Sequence, residues 1–159
     1  MGLDMYLYKK VYIELEYDSN IQKDKKTEII INNKKYEHTN LSSLVYNVGY
    51  WRKANAIHKW FVDNIQEGED DCKEYYVDKN RLRELYEICV EISLLYGNNK
   101  ASIVKDRLTE LLPTQKGFFY GDTSYDESYF QDIRDTINIL LPILEDDKNG
   151  EYYYYRSSW

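Results

Sequence analysis

The sequence predicts an α+β fold: a single domain over residues 1–159, with a small antiparallel sheet built from N-terminal strands and a C-terminal strand and packed against about four helices. Three observations predict it. Strand-like alternation and β-branched or aromatic runs lie near both ends of the chain, and strands at the two ends of a chain often pair. The middle carries apolar residues at helical spacing. A length of 159 residues with 43% hydrophobic and 31% charged residues suits one domain with a packed core rather than a disordered chain.

The elements follow in order. "MYLYKKVYIELEY" alternates, with Leu7, Val11, Ile13 and Leu15 opposite Lys10, Glu14 and Glu16, which predicts a strand with an irregularity at Lys9-Lys10. "DSNIQKDKK" breaks it with turn formers and charge. "TEIIINNKKYEHT" predicts a short β-branched strand, with Asn32-Asn33 turning tightly into Lys34-Lys35-Tyr36. The first forty residues thus predict a meander of two or three antiparallel strands. "NLSSLVYNVGYW" is expected to be a loop or a short helical turn. A first helix is expected over 50–66, from the stripe Ala54, Ile57, Phe61 and Ile65, with Gly68 as its stop. "KEYYV" predicts a short strand, and Asp78 an N-cap for a helix over 79–96 striped by Leu82, Leu85, Cys89, Ile92 and Leu95 or Tyr96. A shorter helix over 101–112 is stopped by Pro113. After a long loop, a last helix is expected over 126–145, with Phe130, Ile133, Ile137, Leu140 or Leu141 and Leu144 inward. Asp122, Thr123 or Ser124 would cap it, and Pro142 would end or kink it. "EYYYYRSSW" predicts a final strand.

Composition excludes several functions. A net charge of −7 argues against duplex nucleic acid and against an anionic membrane surface. No apolar run approaches membrane-spanning length, and the start "MGLDMYLYKK" has no signal-peptide core, so a cytoplasmic protein is expected. Residue 6 is Tyr, which breaks the myristoylation pattern. Cys72 and Cys89 lack metal-ligand spacing, so two reduced thiols and no metal site are expected. The acidic run "EGEDDCKE" lacks the order of a calcium loop and reads as solvated. No phosphate-binding glycine loop, dinucleotide fingerprint or metalloprotease motif occurs, so no catalytic residue and no cofactor is assigned. Most of the eighteen tyrosines read as amphipathic filler of half-buried strands.

Two constellations remain. "GYWRKANAIHKWF", residues 49–61, gathers aromatic and cationic side chains within an acidic chain. On a helix, Trp51, Asn55 and His58 would share one edge beside the core, with Arg52 and Lys59 on the neighbouring face. Arg52 and Lys53 in a first turn would oppose the helix dipole unless an anion answers them, and a phosphate would. Carboxylates from elsewhere in this acidic chain would answer them equally well, and His58 reads as a satisfied structural residue or as a ligand donor. The second is "LPTQKGFFYGDTSYDESYF", a long loop in which Gly117 and Gly121 flank Phe118, Phe119 and Tyr120. Those rings would stack on a base or anchor the loop to the helices.

"MGLDMYLYKK", "VGYWRKANAIHKWFV", the long aromatic loop and the terminal "YYYYRSSW" together resemble a family of small proteins encoded by bacteriophages and prophages. The resemblance spans most of the chain. It implies an origin rather than an activity: an accessory phage protein acting in the host cytoplasm, of a kind that counters host defence. The expected function is therefore sequestration of a small anionic, nucleotide-like ligand without turnover. Arg52 and Lys59 would hold phosphate, Trp51, Phe118, Phe119 or Tyr120 would stack on a base, and Asn55 and His58 would supply hydrogen bonds. Two alternatives stand beside it: a protein-interaction inhibitor of a host enzyme or defence factor that uses the tyrosine-rich surface, and a nucleotide hydrolase using His58. Homo-oligomerisation is left open.

Overall fold

The computed structural model describes residues 2–12, 27–31, 33–38, 42–97, 101–117, 120–146 and 151–159. Strand β1 (Asp4–Tyr12) lies at the centre of a four-stranded antiparallel sheet. It pairs with β4 (Ser43–Arg52) on one side and with β6 (Glu151–Ser158) on the other, and β5 (Glu74–Val77) closes the far edge in the order β4-β1-β6-β5. The predicted pairing of the chain's two ends is therefore present as β1 against β6. β2 (Thr27–Ile31) and β3 (Lys34–His38) form a separate two-stranded hairpin. Asn33 turns it in the left-handed region at φ 61°, which Asn tolerates better than most residues. Ile13 to Glu16, predicted to extend the first strand, lie outside the described residues.

The helices are α1 (Asn55–Asn64), α2 (Lys79–Gly97), α3 (Ala101–Leu111) and α4 (Glu127–Glu145). The two faces of the sheet differ because side chains alternate along a strand. One face sends Met5, Leu7, Trp51, Tyr153, Tyr155 and Val77 into a single core with Ile57 and Phe61 of α1, Leu82 and Leu85 of α2, Leu108 of α3 and Ile133 and Leu140 of α4. The other face is left open and carries Tyr6, Tyr8, Tyr12, Tyr50, Tyr76, Tyr152 and Tyr154. Tyrosine suits that alternation on both faces: Tyr155 is fully buried and stacks on Phe61 at 3.9 Å, while Tyr76 and Tyr12 stay exposed.

Several expectations are corrected. "NLSSLVYNVGYW" is not a loop or helical turn; Ser43 onward is the long edge strand β4. Its partner β1 supplies the hydrogen bonds, and Val48 is accommodated as an extra residue opposite Leu7/Tyr8, so the sheet's irregularity lies there and not at Lys9-Lys10. The first helix consequently begins at Asn55, and Trp51, Arg52 and Lys53 do not belong to it. Most of α1 is buried: Ala56, His58, Trp60 and Val62 are covered along with Ile57 and Phe61. Pro142 does not end α4, which runs on to Glu145. Pro142 and Asn138 both lie exposed, so water can meet the carbonyl that the missing N–H leaves open. The cap of α4 is Asp126 rather than Asp122, Thr123 or Ser124: its carboxylate accepts from the Ser128 and Tyr129 N–H groups at 3.0 and 3.3 Å.

Among the described residues no helix is long and apolar enough to cross a membrane. Cys89 is buried and Cys72 half-buried, and both are free thiols.

Candidate functional site

The site begins where β4 hands over to α1. Lys53 adopts φ 58°, a left-handed conformation that costs a non-glycine residue about 1 kcal/mol. Its N–H still bonds the Leu3 carbonyl at 2.8 Å. Ala54 follows at φ −75°, ψ 72°, and the Asn55 N–H bonds the Lys53 carbonyl at 2.9 Å, an inverse γ-turn. This tight corner swings the chain from strand to helix within two residues. It leaves α1 without a side-chain cap and without an acidic residue in its first turn. Arg52 and Lys53 are exposed on the corner, and neither forms an ion pair with a described residue.

Helix α4 is brought up to this corner by two contacts. Gly49 of β4 lies so close to the helix that an added Cβ would stand 2.7 Å from Ile139. Two residues on, the Trp51 indole N–H donates to Thr136 Oγ1 at 2.9 Å inside the core. Asp132 precedes Thr136 by one helical turn, so it comes to the side of the corner where Arg52 emerges.

The third wall is the loop between α3 and α4. Asn55, only 4% exposed, ties it down with both ends of its amide. Its Nδ2 donates to the Asp122 carbonyl, and its Oδ1 accepts from the Gln115 N–H at 3.3 Å. Thr114 Oγ1 closes the loop by donating to the Thr123 carbonyl at 2.9 Å. Gly121 sits at φ 85° against Lys53, where an added Cβ would lie 3.3 Å from the Lys53 Cβ. Glycine alone meets both demands without strain.

The result is a cavity of about 210 Å³. It is lined by Arg52, Lys53 and the first residues of α1, by Ser128, Tyr129 and Asp132 of α4, and by Thr114, Asp122 and Ser124 of the loop. Most of its polar groups are already engaged. The Asp122 carboxylate accepts from Ser124, the Asp126 carboxylate from Ser128, and the Tyr129 hydroxyl donates to the Leu112 carbonyl. The exceptions are the cations Arg52 and Lys53 and, among its acidic groups, Asp132. Its half-buried carboxyl has no hydrogen-bond donor among the described residues, and burial, reinforced by Asp135 and Asp126, pushes its pKa up to about 7.

His58 lies one turn along α1 and belongs to a different place. It is fully buried. Its Nδ1 is 2.7 Å from the Tyr155 hydroxyl and its Nε2 3.0 Å from Asp70 Oδ2. The Tyr120 hydroxyl donates to the same Asp70 oxygen, and the Trp159 indole N–H donates to Oδ1 at 3.0 Å. Tyr120 also packs edge-on against the imidazole at 5.1 Å. Burial would raise the Asp70 pKa, but the hydrogen bonds from Tyr120, His58 and Trp159 outweigh it and hold the carboxyl below its ordinary value.

The sequence-predicted residues therefore separate. Arg52 lines the cavity, and Asn55 borders it as the clamp of its loop. Trp51 is core, 3% exposed. His58 and Tyr120 meet each other on Asp70, away from the cavity lining. Lys59 pairs with Asp63 one turn along the helix at 2.6 Å. Phe118 and Phe119 lie outside the described residues. Sequence reasoning missed Asp132, whose signal is its place three residues after Tyr129 and four before Thr136, on a helix edge next to the core. It also read Asp70 as solvated, because nothing local announces donors that arrive from residues 58, 120 and 159.

No protein-family model matches the chain, and no curated protein and no solved structure matches it.

Proposed function

We propose that the protein binds a small phosphate-bearing, nucleotide-like anion in the cavity at the β4–α1 corner and holds it without turnover. The observation that carries this reading is the convergence on one cavity of two cations without carboxylate partners among the described residues, Arg52 and Lys53, with the uncapped N-terminus of α1. A guanidinium and free backbone N–H groups are together the chemistry that holds phosphate. Asp4 stands opposite Arg52 in the β1–β4 register and takes the Tyr50 hydroxyl, but neither cation forms an ion pair with a described residue. In the phage setting that the resemblance implies, retention of such a ligand would withdraw a nucleotide signal from a host defence. Catalysis by His58 finds no support here, since the imidazole is sealed in the core and does not line the cavity.

Calorimetric titration with pyrophosphate, AMP, cyclic nucleotides and ADP-ribose tests this. At least one should bind the wild-type chain and be recovered unchanged. Arg52→Ala should weaken it about tenfold, the loss of one charge-assisted contact, while moving the thermal midpoint little, as expected of an exposed residue. Absence of binding by all of them, or identical behaviour of the Arg52→Ala protein, refutes the proposal.

A second reading rests on the open sheet face. Its tyrosines form a continuous field, with Tyr6 beside Tyr8 at 5.8 Å and beside Tyr50 at 5.4 Å, and Tyr152 beside Tyr12 at 5.3 Å. Tyrosine and arginine are enriched at protein interfaces, and Arg156 lies in this field. A stoichiometric host protein retained by the wild type, and lost when Tyr50 and Tyr76 are replaced by Ser, would favour inhibition of a host factor.

A further inference from the structure

We infer that the cavity reads a ribose as well as a phosphate: the Asp132 carboxyl accepts hydrogen bonds from the sugar's vicinal hydroxyls, so the preferred ligand is a ribonucleotide or a phosphorylated pentose rather than its deoxy counterpart. This deepens the anion-binding reading and rests on it.

Three observations lead there. The cavity lining carries both signs of charge. Arg52 and Lys53 line it beside the start of α1, and Asp132 lines it from α4. A ligand that satisfies both must be dipolar in its hydrogen bonding, with an anion at one end and donors at the other. Next, Asp132 is the acidic group of the cavity left over. Asp122, Asp126 and Tyr129 have partners within the protein, whereas the Asp132 carboxyl has no donor among the described residues. A half-buried carboxylate without donors is unfavourable, and two hydroxyls on adjacent carbons supply two donors to its two oxygens. Nucleotide-binding folds use a carboxylate on ribose hydroxyls for the same reason. Finally, about 210 Å³ suits the sugar-phosphate part of a nucleotide, with a base left toward the open rim.

The charges facing Asp132 give the site its pH response. On its own helix Asp135 and Asp126 disfavour ionisation; Asp122 faces the cavity from the loop, and Arg52 and Lys53 face it from the β4–α1 corner. Burial with these neighbouring acids pushes the carboxyl up to about 7. Hydroxyl donors favour its charged form, so ribose recognition should be strongest above pH 7 and should fade below it.

The test is titration of AMP, dAMP and pyrophosphate into the wild-type, Asp132→Asn and Arg52→Ala chains at pH 8 and pH 6. AMP is expected to bind the wild type at least tenfold tighter than 2′-dAMP at pH 8, with a smaller ratio at pH 6. Comparison with dAMP cancels the titration of the phosphate itself, which falls in the same range. Asp132→Asn should bring the two nucleotides together at both pH values while pyrophosphate still binds. Arg52→Ala should weaken AMP, dAMP and pyrophosphate alike and keep the AMP preference. Equal binding of AMP and dAMP by the wild type at pH 8 overturns the ribose inference and leaves the anion site standing. Failure of pyrophosphate and both nucleotides to bind overturns both. A far-ultraviolet spectrum and thermal midpoint of the Asp132→Asn protein show that it is folded; if it is not, Asp132→Glu, which keeps the charge and moves it, must change the AMP/dAMP ratio.

Discussion

Asp70 and Asp132 are both half-buried aspartates beside aromatic side chains, and the fold treats them in opposite ways. Asp70 receives His58, Tyr120 and Trp159 and is held below its ordinary pKa. Asp132 receives no donor from the described residues and is pushed up to about 7. The first arrangement is what a structural carboxylate looks like: its desolvation is offset by donors that folding brings together. The second is a carboxylate at a cavity wall with no donor from the described residues, and strongly perturbed titratable groups in clefts concentrate at functional sites. One α3–α4 loop serves both places, sending the Tyr120 hydroxyl to Asp70 and Gly121 and Asp122 to the cavity. Burial alone therefore does not set the state of these two carboxylates; donor supply does.

The comparison breaks most sharply at His58. His58→Ala removes a fully buried ring and leaves the Tyr155 hydroxyl, itself deep in the core, without its imidazole partner. A cavity plus an orphaned hydroxyl costs about 3 kcal/mol, or roughly 6–12 °C in thermal midpoint for a domain of this size. Pyrophosphate affinity of the protein that remains folded should be unchanged. A His58→Ala protein of normal stability that no longer binds ligand would place His58 in the site and erase the distinction. Acid should probe the same network. The Asp70 contribution is complete above the ordinary carboxylate value of 3.8 and is lost as pH falls through its lower folded value. An Asp70→Asn protein should therefore lose the part of the acid-induced drop in midpoint that belongs to this group.

Asn55→Ala comes next. It frees the Gln115 N–H and the Asp122 carbonyl at once, at a cost of about 1–2 kcal/mol. Because the same bonds shape the cavity wall, affinity should fall together with stability, which neither His58→Ala nor Arg52→Ala should produce. Hydrogen exchange confined to residues 113–126 would show the loop released while the sheet stays protected.

At Asp132 the expected sign reverses. Its folded pKa lies above its unfolded one, so the native state binds the proton more tightly and the unfolded chain ionises first. Native stability therefore decreases as pH rises from about 4 to about 7 and is level above that. Asp132→Asn removes the penalty, so its midpoint should exceed that of the wild type at pH 7.5 and match it at pH 4. A substitution that stabilises the protein while abolishing ribose preference is the signature expected of a binding group, and a loss of stability at pH 7.5 would assign Asp132 to structure.

Much of the fold was legible because it depends on local pattern. The stripe Leu82, Leu85, Cys89 and Ile92 places α2 to within a residue or so, and the Tyr-rich C-terminal run forms β6 as predicted. β4 was illegible because "SLVYNVGYWR" contains a bulge at Val48 and a glycine, which break the period of two, and because its partner is forty residues away. That one error placed Arg52 and Lys53 inside a helix, whereas they stand exposed at the corner between β4 and α1. Asp132 was hidden for a different reason. Its neighbours are set by the Trp51–Thr136 hydrogen bond and by the close approach of α4 to Gly49, which are tertiary facts.

The smallest effect is the most discriminating control for the electrostatics. Lys59 and Arg52 carry the same charge and lie seven residues apart. Lys59 is already paired with Asp63 at the surface, with the cation N-terminal to the acid, the weaker orientation on a helix. Lys59→Ala should therefore cost no more than about 0.3–0.5 kcal/mol. If the cavity attracts anions only through the general field of nearby positive charge, Lys59→Ala and Arg52→Ala must weaken pyrophosphate equally, and both losses must vanish in 0.5 M salt. If the guanidinium touches the phosphate in a site with water excluded, only Arg52→Ala weakens binding, and part of that loss persists at high salt. Titration of the two variants at low and high ionic strength measures which cation the ligand meets.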